Sequence, residues 1–210
     1  MEPLMQFFRL AAILSLLPML ASCGGKKVPD QQRAGMEAVN RIVQAAKGAH
    51  PNGKVVLVLP APVEYQGTAL EEYAAVFKKT WKAPTLVEHR LTRSSDSGIQ
   101  ENPGEFRRFA ATVGTLSAEE SAALKSTHPD ARLFVSFCGL PLVWKHETDG
   151  PKWIAFCPNG AKGGAELAAA GALIAVVQPR ATAPTPDLDD FDTFYSFDTP
   201  ATLTTPAPAP

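Results

Sequence analysis

The sequence predicts an α/β fold, a three-layer sandwich with a mostly parallel sheet and a C-terminal hairpin element. Three observations carry this. Residues 54–60 (Lys-Val-Val-Leu-Val-Leu-Pro) and 131–138 (Ala-Arg-Leu-Phe-Val-Ser-Phe-Cys) are nearly unbroken apolar runs, as expected of strands covered on both faces. Between them lie segments whose apolar residues recur at helical intervals. The resulting order (strand, helix, strand, helix, strand, hairpin, helix, strand) places helices on both faces of one sheet.

Taken in order, Asp30 can cap a helix over 31–49, with Met36, Val39, Ile42, Val43 and Ala46 on one stripe and His50-Pro51-Asn52-Gly53 ending it. Residues 54–60 then form the best candidate for a central strand. Thr68 and Glu71 have capping-box spacing, and Leu70, Tyr73, Ala74, Phe77 and Trp81 give the next helix its buried face. Residues 85–91 alternate Leu86, Glu88 and Arg90 with Val87, His89 and Leu91, which suits a strand at the sheet edge. After the polar stretch 93–98, Asn102, Pro103 and Glu105 signal another helix start, with Phe106, Phe109, Ala110 and Val113 buried and Gly114 as its stop. A second capping box, Ser117 with Glu120, opens a helix to about 127, and 131–138 follows as a buried strand. Residues 140–145 and 152–157 read as a hairpin carrying Trp144 and Trp153. Gly163 and Gly164 open a short Ala-rich helix, and Gly171 separates it from a last strand at 173–177.

Composition fits an ordinary folded body. Of 210 residues 45% are hydrophobic and 20% charged, and the formal net charge is -1, so there is no basic field that would favour nucleic acid. One domain is expected at this length.

The N-terminus reads differently. The apolar stretch 10–21, broken by Ser15 and Pro18, is shorter than the roughly 18–20 residues of a membrane-spanning helix and suits a signal-peptide core. It ends in Leu20-Ala21-Ser22-Cys23 followed by Gly24-Gly25-Lys26-Lys27, which resembles the lipobox of bacterial lipoproteins. The resemblance implies cleavage before Cys23 and a diacylglyceryl group on its sulfur. It also implies anchorage of the body outside the cytoplasm, with Gly24 compatible with release to an outer membrane. A start at Met5 gives the leader a cleaner basic lead than Met1, because Glu2 then drops out. The expected organisation is a signal peptide (1–22), a lipidated spacer (23–30), an α/β domain (31–178) and a disordered Pro/Thr/Asp-rich tail (179–210).

Two cysteines remain in the body. Cys138 and Cys157 each end an apolar strand, and a hairpin turning near 148–151 would set them opposite one another. Either a disulfide between them or two buried thiols is compatible with that placement. His50, His89, His128 and His146 are scattered singly and no C-x-x-C occurs, so no metal site and no cofactor is expected.

The tail mixes Asp187, Asp189, Asp190 and Asp192 with Phe191, Phe194, Tyr195 and Phe197. This acidic aromatic patch either packs back on the domain or docks on another envelope protein.

No catalytic signature is present: no G-x-S-x-G, no G-x-x-x-x-G-K, no H-E-x-x-H and no G-x-G-x-x-G. The run through 55–79, an apolar strand passing through a polar turn into a helix, resembles the flavodoxin-like lobes of periplasmic ligand-binding proteins, without a second lobe. Gly139-Leu140-Pro141 before the expected hairpin also resembles the thioredoxin turn, but Pro60-Ala61-Pro62-Val63-Glu64 stands where the redox dithiol would be. In open α/β sheets ligands sit beyond the carboxyl ends of the strands, which makes Tyr65, Gln66, Ser94 and Ser95 the candidate ligand-binding residues. The expected function is a non-catalytic, membrane-anchored envelope lipoprotein binding a small solute or a protein partner. The alternative is a thiol-dependent or thioredoxin-like protein using Cys138 and Cys157.

Overall fold

The computed structural model describes residues 30–49, 53–61, 69–82, 84–92, 115–144, 150–157, 160–180 and 190–204. Among them the strands are β1 (Val55–Leu59), β2 (Leu86–Arg90), β3 (Thr115–Leu116), β4 (Leu133–Ser136), β5 (Leu140–Pro141), β6 (Lys152–Phe156), β7 (Leu173–Pro179) and β8 (Tyr195–Asp198). The helices are α1 (Gln31–Ala49), α2 (Ala69–Trp81), α3 (Ala118–Thr127), α4 (Gly164–Ala169), α5 (Asp190–Phe194) and α6 (Pro200–Thr204). The main sheet runs β2-β1-β4-β6-β7-β8, and β3 pairs with β5 apart from it. Every neighbour pair from β2 to β7 is parallel, and β8 alone is antiparallel, against β7. This is the mixed α/β architecture with a mostly parallel sheet that the sequence implies.

Local chemistry sets the elements. The Asp30 carboxylate accepts the backbone N–H groups of Gln32 (2.9 Å) and Arg33 (3.1 Å), satisfying donors that the first turn of α1 would otherwise leave open. At α3 the capping box is complete: Ser117 Oγ accepts from Glu120 N–H at 3.1 Å, while the Glu120 carboxylate accepts from Ser117 N–H at 2.7 Å. All five residues of β1 are buried. Val55, Leu57 and Leu59 face one core with α1, α2 and α5, whereas Val56 and Val58 face a second core with Leu124 of α3 and Leu167 of α4. Alternate strand residues therefore feed two separate apolar layers, which makes a sheet between helices the stable arrangement.

The hairpin expected over 140–157 does not form. β4 and β6 run parallel, with Leu133 opposite Lys152 and Ser136 opposite Ala155. Cys138 N–H donates to Ser136 Oγ at 3.1 Å, and Gly139 takes φ 85°, so the chain bends out of the main sheet after β4. Leu140 and Pro141 then pair with Thr115 and Leu116 instead.

The tail also departs from expectation over 190–204. β8 pairs with β7, Val177 lying opposite Phe197 and Pro179 opposite Tyr195. Phe191 is 1% exposed and Tyr195 6%. The aromatic patch is thus core rather than a free docking motif at these residues, because β7 needs a neighbour and these rings bury enough apolar surface to hold one. The polar groups between them are absorbed locally: Gln178 Nε2 and Ser196 Oγ donate to Asp198 Oδ2 at 2.8 and 2.7 Å, and Arg180 Nε donates to the Tyr195 carbonyl at 3.0 Å. The expected helix at 102–113 lies outside the described residues.

Candidate functional site

Parallel strands bring their carboxyl ends to one edge. Setting aside β3 and β5, the five parallel strands are ordered second, first, third, fourth, fifth, so the order reverses between β1 and β4. In such sheets the crevice at the carboxyl edge beside the reversal is where ligands bind. β1 ends there at Leu59, followed by Pro60 and Ala61, and β4 at Ser136, followed by Phe137 and Cys138.

A groove of about 830 Å³ lies along this edge, lined among others by Gln31 and Gln32 at the start of α1, Leu70, Glu71, Glu72 and Tyr73 at the start of α2, Phe156 at the end of β6, and Tyr195. Its floor is aromatic. Tyr73 meets Phe156 edge-on with centroids 5.7 Å apart, and Phe156 meets Tyr195 at 5.5 Å. The Tyr73 phenol lies against Gly35 of α1, where a Cβ would come within 1.8 Å of the phenol oxygen, so only glycine lets this ring into the floor. Burial above all, and then the neighbouring Tyr195 hydroxyl, push the Tyr73 phenol up from 10.0, which keeps it a neutral hydrogen-bonding group. On the rim Gln32 Nε2 donates to Glu72 at 3.1 Å, tying α1 to α2 across the groove. Apolar ring edges below with amides and carboxylates above suit non-covalent binding of a small molecule or a peptide side chain.

Tyr65 and Gln66 follow β1, and Ser94 and Ser95 follow β2; all four lie outside the described residues, as does Cys23. The strands that lead to them end at the carboxyl edge. Cys138 and Cys157 are separate buried thiols, not a disulfide. The physical reason is orientation: the Cys138 Sγ lies 3.8 Å from the Val58 carbonyl on β1, on the side of β4 away from β6. Burial pushes the Cys157 thiol up to about 12, which leaves almost no thiolate at neutral pH and makes it a poor nucleophile.

Two histidines that look isolated in the sequence are partners. His89 Nδ1 of β2 and His128 Nε2, just beyond α3, are 3.0 Å apart. No local spacing signals this contact, since it joins residues 39 apart in the chain. His50 and His146 lie outside the described residues. Among the described residues no group of three or more His, Cys, Asp or Glu is placed to hold a metal ion, and no helix is long and apolar enough to cross a membrane.

No protein-family model matches the chain, and no curated protein matches its sequence. Among solved structures it is similar to GanP, a glucose-galactose binding protein from Geobacillus stearothermophilus, at 14% identity over 84% of this chain and 62% of that one, with a TM-score of 0.47. It is also similar to a solute binding protein of an ABC transporter from Agrobacterium vitis, bound with α-D-tagatopyranose, at 12% identity over 85% and 59%, with a TM-score of 0.45. A third, the sugar-binding protein of a sugar ABC transporter from Bacillus halodurans, shares 14% identity over 83% and 64%, with a TM-score of 0.42. The chain thus spans about three fifths of the length of these structures, matching at most 64% of any of the three. None of these comparisons assigns the chain to a family.

Proposed function

We propose that the protein is a non-catalytic envelope lipoprotein, anchored to the membrane through lipid on Cys23, that binds a small ligand or a protein partner at the carboxyl edge of its sheet. The observation that carries the binding reading is the aromatic-floored groove at that edge, built from the starts of α1 and α2, the end of β6 and Tyr195. The address rests on Leu20-Ala21-Ser22-Cys23 and the apolar leader before it. Each buried methylene of an acyl chain contributes about 0.8 kcal/mol to membrane affinity, so a multiply acylated cysteine holds a lasting anchor.

The binding reading is tested by thermal-shift screening against solutes and cell-wall fragments, since a ligand that binds only the native state raises the melting temperature by mass action. A stabilising ligand whose effect is lost in Tyr73→Leu or Glu72→Gln supports the groove; a ligand whose effect survives both places binding elsewhere. The anchor is tested by fractionation without detergent. A Cys23→Ala protein that still partitions with membranes overturns it.

A further inference from the structure

We propose that His89 and His128 form an acid-sensitive latch that fastens the carboxyl end of edge strand β2 to the end of α3 at neutral pH and lets go as the medium acidifies. The two rings are nearly perpendicular, at 82°, with centroids 5.1 Å apart. With the facing nitrogens at 3.0 Å, both lie close to the line joining the ring centres, the geometry of an N–H···N bond. A neutral pair satisfies it: one imidazole donates and the other accepts. A second proton leaves two cations facing each other with no acceptor between them.

The surroundings offer the charged form little help. Around His128 stand Lys54 and Asp130, which are ion-paired with each other, so the carboxylate that would favour a cation is already engaged by an ammonium. On β2 the neighbours Glu88 and Arg90 point to the opposite face, where Glu88 meets Lys78 of α2 at 2.9 Å and Arg90 at 2.7 Å. Burial lowers the affinity of His89 for a proton, and burial followed by the charges of His89 and Lys54 lowers that of His128. The sign follows directly. Folded values below the ordinary 6.5 mean that the open state binds more protons, so the latch holds fully above about 6.5 and loosens progressively as pH falls below that value.

The latch sits where it matters mechanically. Among the described residues β2 pairs with β1 alone, so it lacks the second strand that would hold a central member of the sheet in place. His89 is the last residue but one of β2, so the latch lies beside the carboxyl end of that strand.

The test uses the full chain in detergent. Imidazole resonances followed by NMR between pH 8 and 5, with amide exchange protection measured in parallel, read the pair and the strand it holds. The expected result is two imidazoles titrating below 6.5 in separate steps, with protection of β2 falling by about tenfold for each unit of depression while β1 stays protected. In His89→Gln the acid loss of β2 protection should vanish and His128 should titrate closer to its ordinary value. Two imidazoles titrating independently at the ordinary value would overturn the proposal, as would β2 protection that ignores pH or an unchanged acid loss in His89→Gln. The wild-type titration decides the matter even if the variant folds poorly.

Discussion

Replacing Gly35 by alanine tests the packing beneath the groove, because two opposing effects can be weighed. In a helix interior, glycine to alanine ordinarily stabilises by about 1 kcal/mol. Here the new Cβ would lie 1.8 Å from the Tyr73 phenol oxygen, 2.1 Å from Cζ and 2.6 Å from Cε1, far inside contact distance. The ring cannot swing aside freely, since it is 4% exposed and seated against Phe156. Overpacking of this kind costs about 1–3 kcal/mol, and pulling the phenol from its partner Tyr195 adds about 1 kcal/mol. The net expectation is a loss of about 1–3 kcal/mol, opposite in sign to the propensity effect. Gly48, in the last turn of the same helix, is an internal control: nothing lies within 4 Å of its Cβ position, so Gly48→Ala should be neutral or gain up to about 1 kcal/mol. Urea denaturation of both variants, and of Gly35→Ala in a Tyr73→Leu background, measures the signs and the coupling. If Gly35→Ala matches or exceeds the wild type in stability, or if Tyr73→Leu does not relieve it, Tyr73 does not pack where the structure puts it.

Three further expectations follow from the same geometry. Thiol counting on unreduced protein should find Cys138 and Cys157 silent in the native state and both reactive after denaturation; a missing pair in the denatured sample would mean a disulfide. Phe191→Ala should destabilise by about 3–5 kcal/mol as measured by denaturant midpoint, because this 1% exposed ring fills the core beside α1, whereas a loose tail would register no change. Because folding raises the Tyr73 phenol above its ordinary 10.0, stability is full below that value and drains away as pH rises above it. Phenolate absorbance should therefore show a Tyr73 component that appears only as the protein unfolds.

Legibility in the sequence followed the range of the interactions. Asp30 and the Ser117–Glu120 box are local devices, and the helices they cap formed where the spacing placed them. β1 was readable because a strand buried on both faces must be apolar throughout, and β2 because an edge tolerates Glu88 and Arg90. Pairing was harder to read. Nothing between Phe137 and Lys152 states that Leu140 will leave the sheet for Thr115, since that choice depends on a partner far away in the chain. The tail misled for a related reason: its Pro, Thr and Asp content looks disordered, while the spacing of Phe191 and Tyr195 gains meaning only once β7 presents an open edge. Of the groove, Glu71 and Tyr73 were visible as helix residues, but Gly35 was not, because its role depends on a ring from another helix.

The closing of the sheet by β8 also bears on how the chain is made. Phe191 and Tyr195 share one apolar layer with Ile42 and Val43 of α1, so a single core draws on both ends of the domain. Such long-range contacts bring stability only after a costly closure of the intervening chain. That layer cannot be completed until Phe191 and Tyr195 have left the ribosome. Under the proposed envelope address, late completion would be an advantage: the chain would stay pliable through passage and lock once Phe191 and Tyr195 join the layer.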